Sequence, residues 1–336
     1  MRIKTYLKES GMRMLTFLAA VSLALSPVKA GAADEIKLGN ISVTAQGWAL
    51  YAAEQKGYFK EENLKVRKFI VRSVSKAMQA LSANSTNILF PGSTSGMIRA
   101  RVKKAPVTII GGGFSKALYD LIAGAKYKKV EDLRGTTTGV INLTSGSTIL
   151  LKTVLAAHGL HYPKDFDMLV VGGTPDRFAA VKSGGVSAAM VTPPTSFKAL
   201  EAGLNVLANI GNYLPDYQFN MIGANSDWLK GNRDVAVRFL KCMIKAQRFL
   251  NDPKNKEEAI DILEKGNKIK RKFAQMSYKM IMEDLKPMPT DASVSTKAMD
   301  VLIKVLVENK KLKKSYPAST FIDDSYRKEA LKRLGG

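Results

Sequence analysis

Cysteine and histidine are almost absent: the 336-residue chain has one cysteine and two histidines. A single thiol excludes a disulfide within the chain and any thiolate-rich zinc or iron–sulfur site. His158 and His161 are close neighbours at one predicted helix end. They leave little material for a histidine-rich metal centre, and no Ser–His–Asp arrangement is legible. Acidic residues are outnumbered, 29 against 52 basic ones, for a net charge of +23. Long apolar runs are missing as well. The run at 14–25 has 12 residues, against the roughly 20 that a membrane-spanning helix needs, and no later stretch is more apolar. What remains, 46% hydrophobic and 24% charged, is an ordinary globular composition and not a disordered, collagen-like or coiled-coil one. The length predicts roughly two domains.

The charge is unevenly spread. Residues 33–117 carry net +8 and residues 223–336 net +10, but residues 118–222 only +1. A near-neutral middle between two basic flanks suggests an inserted lobe. At the N-terminus, Arg2, Lys4, Lys8 and Arg13 precede the apolar run, and Pro27 ends it. Small residues follow in Val28-Lys29-Ala30 and Ala30-Gly31-Ala32, where a signal peptidase cuts. This is the layout of a secretory signal peptide over residues 1–32. The lone thiol, Cys242, is far from the cleavage region, so no lipid-modified N-terminal cysteine is available. The mature chain is expected to be a soluble periplasmic monomer. Cys242 shares an apolar stripe with Phe239, Met243, Ala246 and Phe249, which predicts a buried structural thiol.

Strand and helix alternate. Residues 36–41, 64–71, 87–90 and 106–110 read as strands, and 46–56, 75–81 and 96–103 as helices. The pattern repeats with strands at 137–141, 168–171 and 186–191, each followed by a helix. Gly159, Gly184 and Gly203 fit the helix ends. Thr174 and Thr192 fit as N-caps, with Pro175 and Pro193 in the first turns. Strands are expected to stop near residue 220, after which 233–250, 256–265, 270–285 and 295–309 have helical spacing. The expected class is α/β, with two parallel-sheet lobes and a helical C-terminal segment. Lobe 1 would take 33–117 plus 223–336, and lobe 2 would take 118–222. Two crossings, near 115–120 and 220–224, would form a hinge that lets the lobes close on a ligand.

In open α/β sheets, ligands sit beyond the carboxyl ends of strands, beside helix N-termini whose free N–H groups favour anions. That rule selects Gln46, Trp48, Arg72, Ser73, Ser75, Ser93, Thr94 and Ser95 in the first lobe. In the second it selects Thr144, Ser145, Ser147, Thr174 and Thr192. The turn at 144–147, with Ser73 and Ser75, is expected to hold the anionic end of a small organic molecule, and Trp48 to cover its organic part. Gly111-Gly112-Gly113 lacks the Gly-Lys-Ser/Thr of a phosphate loop. The basic clusters at 268–272 and 310–314 lie on a chain read as exported, and they predict a solvated face, not a nucleic-acid site.

Several segments resemble one family. Residues 45–66 (AQGWALYAAEQKGYFKEENLKV) resemble its opening helix and the turn into the second strand. Residues 130–140 (VEDLRGTTTGV) resemble its entry to the second lobe, and residues 172–207 its run of glycine, proline and alanine motifs. The resemblance covers about 36–250 and is to periplasmic substrate-binding proteins of sulfonate/nitrate/taurine-type ABC importers, in the thiamine-pyrimidine-synthesis superfamily. One departure is Val186-Ser187-Ala188-Ala189, where many members carry an acidic residue. The resemblance implies a type II periplasmic-binding fold and a solute-binding component delivering its ligand to a membrane permease with its ATPase. It implies no catalysis, cofactor, metal or nucleic-acid partner. The alternatives are a pyrimidine-synthesis enzyme, which would want a cysteine-rich iron site, and a binder of a neutral, pyrimidine-like ligand.

Overall fold

The computed structural model describes residues 32–41, 43–71 and 73–335. The signal-peptide reading and the assignment of Arg72 lie outside the described residues. Strands β1 (Asp34–Asn40), β2 (Leu64–Ile70), β3 (Ile88–Ser93) and β4 (Val107–Gly112) alternate with helices α1 (Trp48–Gln55), α2 (Tyr58–Glu61), α3 (Val74–Ser82) and α4 (Thr94–Val102). A second run holds β5 (Asp120–Ala123), β6 (Thr137–Val140), β7 (Asp167–Val170), β8 (Ala188–Val191) and β9 (Asn205–Asn209). Its helices are α5 (Gly146–Ala157), α6 (Thr174–Lys182) and α7 (Thr195–Glu201). After β10 (Asn220–Asn225) come α8 (Ser226–Gly231), α9 (Arg233–Asn251), α10 (Lys256–Asn267), α11 (Arg271–Tyr278), α12 (Thr296–Glu308) and α13 (Ser325–Arg333). No helix among the described residues is long and apolar enough to cross a membrane.

Two five-stranded sheets result, in the orders β2-β1-β3-β10-β4 and β7-β6-β8-β5-β9. Both are mixed: four strands of each sheet run the same way, as the mostly parallel reading expects, and one runs against them. In sheet 1, β10 runs antiparallel to β3 and β4; in sheet 2, β5 runs antiparallel to β8 and β9. In each sheet the reversed strand is the one reached directly from a crossing. Strand β10 also corrects the expectation that strands stop near residue 220. Every residue of β5 and β10 is buried, so neither shows the alternation that marks a half-exposed strand.

Local chemistry sets the helix ends. The side chains of Ser73, Ser93 and Ser145 accept from the Lys76, Gly96 and Thr148 amides and cap α3, α4 and α5. Gly159, Gly184 and Gly203 take the left-handed conformation just beyond α5, α6 and α7, with φ of 71°, 77° and 78°. Two caps differ from expectation. Helix α6 is capped at Gly173, whose amide donates to Asp176 Oδ2 at 2.8 Å, so Thr174 is its first residue. Helix α7 starts at Thr195 after Pro194, and Thr192 lies ahead of its cap.

The chain crosses between the sheets at 113–119 and again at 213–219. The second crossing therefore precedes β10 and does not fall at 220–224. The crossings pair with each other: Phe219 N donates to Phe114 O at 2.8 Å and Tyr217 N to Ser115 O at 3.2 Å. The glycine triplet finds its use here. A Cβ on Gly112 would lie 1.9 Å from Ser293 O, and one on Gly113 would lie 1.8 Å from Asn220 Oδ1. Only glycine lets the backbones pass this closely. The C-terminal segment also grips the crossings. Ser295 N donates to Gln218 Oε1 at 3.2 Å, Gln218 Nε2 donates to Phe114 O at 3.3 Å, and Ser115 N donates to Pro287 O at 2.9 Å.

Candidate ligand-binding site

Loops at the carboxyl ends of the strands enclose a cavity of about 80 Å³ between the sheets. At about 10–15 Å³ per water, that is room for roughly five to eight waters, the scale of an oxyanion with a short organic part. Gln46, Ser93, Thr94 and Ser95 line it from the loops of sheet 1, and Ser145, Ser147, Thr174 and Arg177 from those of sheet 2. Tyr119, Tyr217 and Phe219, all on or beside the crossings, form a third wall. The loops touch around it. Ala45 N donates to Pro193 O at 3.3 Å, and a Cβ on Gly146 would stand 3.1 Å from Ser95 Oγ.

Arg177 dominates the electrostatics. It is 2% exposed, yet none of its contacts is a carboxylate: Nε donates to Met190 O at 2.8 Å, Nη1 to Gly172 O at 2.9 Å and Nη2 to Thr174 Oγ1 at 3.2 Å. Among the described residues it has no ion-pair partner. Burial pulls its pKa down, opposed by the Tyr119 hydroxyl and by Asp176, but a guanidinium stays charged. A buried cation with no carboxylate in contact is costly, and an anion in the cavity would supply that contact. Burial raises the Tyr119 phenol, against the pull of Arg177 and a hydrogen bond to Ser147. Burial also raises the phenol of Tyr217. Both stay protonated and able to donate.

The serine turn adds a second set of donors. Ser145 Oγ lies 3.1 Å from Ser147 Oγ and 2.8 Å from Thr148 Oγ1, and it accepts from Thr148 N at 3.2 Å. This turn is the N-terminus of α5, a 12-residue helix whose dipole favours negative charge there.

Seven of the sequence-selected residues line the cavity: Gln46, Ser93, Thr94, Ser95, Ser145, Ser147 and Thr174. The others do not. Trp48 is wholly buried in the core, where Nε1 donates to Ala259 O at 3.0 Å and the ring meets Tyr278 edge-on. It cannot cover a ligand. Ser73 is occupied as the α3 cap, and Ser75 faces a different groove. The pairing of Ser73 and Ser75 with the 144–147 turn is therefore not formed. Thr144 Oγ1 donates to Asn142 Oδ1 at 3.3 Å, and Thr192 is fully buried outside the cavity. Arg177, Tyr119 and Tyr217 were not selected. Arg177 carried a signal: a cation in the first turn of a helix opposes the dipole and needs a reason to be there.

The family model described as NMT1/THI5 like matches residues 45–256. A Bacillus subtilis (strain 168) protein named "Putative binding protein YtlA" is 26% identical over 231 residues, covering 66% of this chain and 68% of that protein. The periplasmic nitrate-binding protein NrtA from Synechocystis PCC 6803 superposes with a TM-score of 0.74 at 18% identity, over 89% of each chain. The alkanesulfonate-binding protein SsuA from Xanthomonas axonopodis pv. citri, bound to MOPS, gives 0.70 at 16% identity, over 86% of this chain and 98% of that one. These likenesses extend across both sheets and bear out the periplasmic-binding-protein fold.

Proposed function

The chain belongs to the NMT1/THI5-like family, and from that premise we propose that it is the exported solute-binding component of an ABC importer, closing around a small organic anion. The observation that carries the anion is Arg177, a buried guanidinium that opens onto the cavity without a carboxylate partner. The ligand's charged end would sit between Arg177, Thr174 and the Ser145–Ser147 turn. Gln46, Ser93 and Thr94 would approach from the other side. The cavity is lined by hydroxyls, an amide and a guanidinium, groups suited to holding charge more than to moving protons. We therefore read a binder and not an enzyme.

The protein works as two lobes in this reading, 33–117 with 223–336 and 118–222. Because β10 pairs with β3 and β4, its first residues belong with lobe 1. Closure is driven by contacts that exist only in the closed state, and the paired crossings at 113–119 and 213–219 would be the hinge. The loaded form, a monomer in the periplasm, would dock on a permease served by an ATPase. Names of similar proteins support this: NrtA is described as nitrate-binding and SsuA as alkanesulfonate-binding.

A thermal-shift screen of sulfonates, carboxylates, nitrate and neutral pyrimidines tests the reading. A ligand at about 100 times its Kd adds about 2.7 kcal/mol, so a binder is easily seen. Small-angle scattering with the best compound should show compaction. A neutral pyrimidine that outperforms every anion would overturn the proposal.

A further inference from the structure

A groove of about 720 Å³ lies on the outer side of α3 and α4, between them and the segment after α12. It shares Val74 with the ligand cavity and none of that cavity's other lining residues. Val74, Met78, Ala100, Val102, Leu312 and Tyr316 give it an apolar floor. Its rim is cationic: Arg99, Lys103, Lys310, Lys311 and Lys313, with no acidic residue in the lining.

This rim differs from the basic face of α9. Along α9 four bases are matched: Arg233 with Glu329, Arg238 with Asp34 and Asp234, Lys241 with Glu62, and Lys245 with Glu61. None of the five rim cations has an ion-pair partner among the described residues. Arg99 spends its Nε on Ser95 O at 3.2 Å, and burial pulls its pKa down.

We propose that this groove docks an acidic amphipathic segment of a partner protein, its apolar side on the floor and its carboxylates on the rim. Charge complementarity selects acid. Shape selects a chain segment over a membrane, because a flat headgroup layer cannot enter a concavity to cover its floor. A helix laid in a groove does so, with apolar anchors on one face. The proposal is independent of which solute the cavity takes.

The test uses fluorescence anisotropy with a labelled amphipathic helix built of Leu, Ala and Glu, against the full mature chain. A scrambled peptide of the same composition and phosphatidylglycerol vesicles are run beside it. The amphipathic peptide should bind, and Lys310→Glu with Lys311→Glu and Lys313→Glu should weaken it roughly tenfold or more. Ala100→Trp, which fills the floor and leaves the charge alone, should weaken it comparably. Charge reversal of the exposed Lys126, Lys128 and Lys129, away from the groove, should leave it nearly unchanged. Equal binding of the scrambled peptide, equal loss in the distant reversal, unchanged binding in Ala100→Trp, or binding to vesicles in place of the peptide each overturns the proposal.

Discussion

Replacing Arg177 by methionine is the sharpest test of the cavity. The substitution keeps most of the volume and removes the charge. It also strips donors from Met190 O, Gly172 O and Thr174 Oγ1, which Arg177 holds at 2.8, 2.9 and 3.2 Å. Losing one partner of a buried, hydrogen-bonded charge pair costs about 2–5 kcal/mol. At about 1.4 kcal/mol per tenfold, the anion's Kd should rise roughly 30- to 4,000-fold. The ligand-free protein should suffer less. Two carbonyls left unpaired cost about 1–3 kcal/mol each, but removing an uncompensated buried charge returns part of that. Arg177→Lys keeps the charge without the planar fork and should fall between. Because the pair would be buried, moderate salt should change the wild-type Kd little. Isothermal calorimetry with the best anion from the screen measures each term, with circular dichroism confirming the fold. Arg177→Met binding within threefold of wild type, in a folded protein, would refute the reasoning.

Three further outcomes follow from positions already described. Trp48→Phe should lower Tm, since it loses packing and the bond to Ala259 O, yet leave the anion's Kd within twofold; a large loss of affinity would return Trp48 to the site. Asp120, 7% exposed, accepts from Asn209 Nδ2 at 2.8 Å, and burial raises its carboxyl above 3.8. A raised folded pKa means its contribution to stability is full below 3.8 and is lost as pH rises through the folded value. Asp120→Asn should therefore raise Tm at pH 7 and lose that advantage towards pH 4; an advantage independent of pH would contradict this. Cys242 donates to Tyr58 O at 3.2 Å, and burial pushes its thiol up to about 12. A disulfide reagent at neutral pH should label it only after denaturant is added, and rapid labelling of the native protein would show the helix to be open.

Elements with a free face or a strong punctuation mark were legible. Gly159, Gly184 and Gly203 marked helix ends because their φ is positive, whereas Thr174 and Thr192 were misleading as helix starts, because α6 and α7 are capped at Gly173 and Pro194. The reversed strands were not legible, because β5 and β10 are buried on both faces and carry no period. Nor was their direction, which depends on the path of the crossings. At the site, the small hydroxyl residues were found through their strand ends, but that rule also chose Trp48, which packs inward. Arg177 showed in sequence only as a cation misplaced in the first turn of α6. Its isolation from carboxylates exists only in three dimensions.

The position of β10 in sheet 1 has a consequence for how the molecule assembles. Strand β4 touches its sheet only through β10, so an element complete by Gly112 has no strand to join until Asn220–Asn225 is in place. Sheet 2 faces no such delay, because all five of its strands lie between Asp120 and Asn209. The middle of the chain thus holds a unit able to form first, and the unit whose strands begin earlier must finish last. Closing so long a loop costs little more in equilibrium stability than a short one, but it slows the search. Refolding should accordingly show sheet 2 protected from hydrogen exchange before β4.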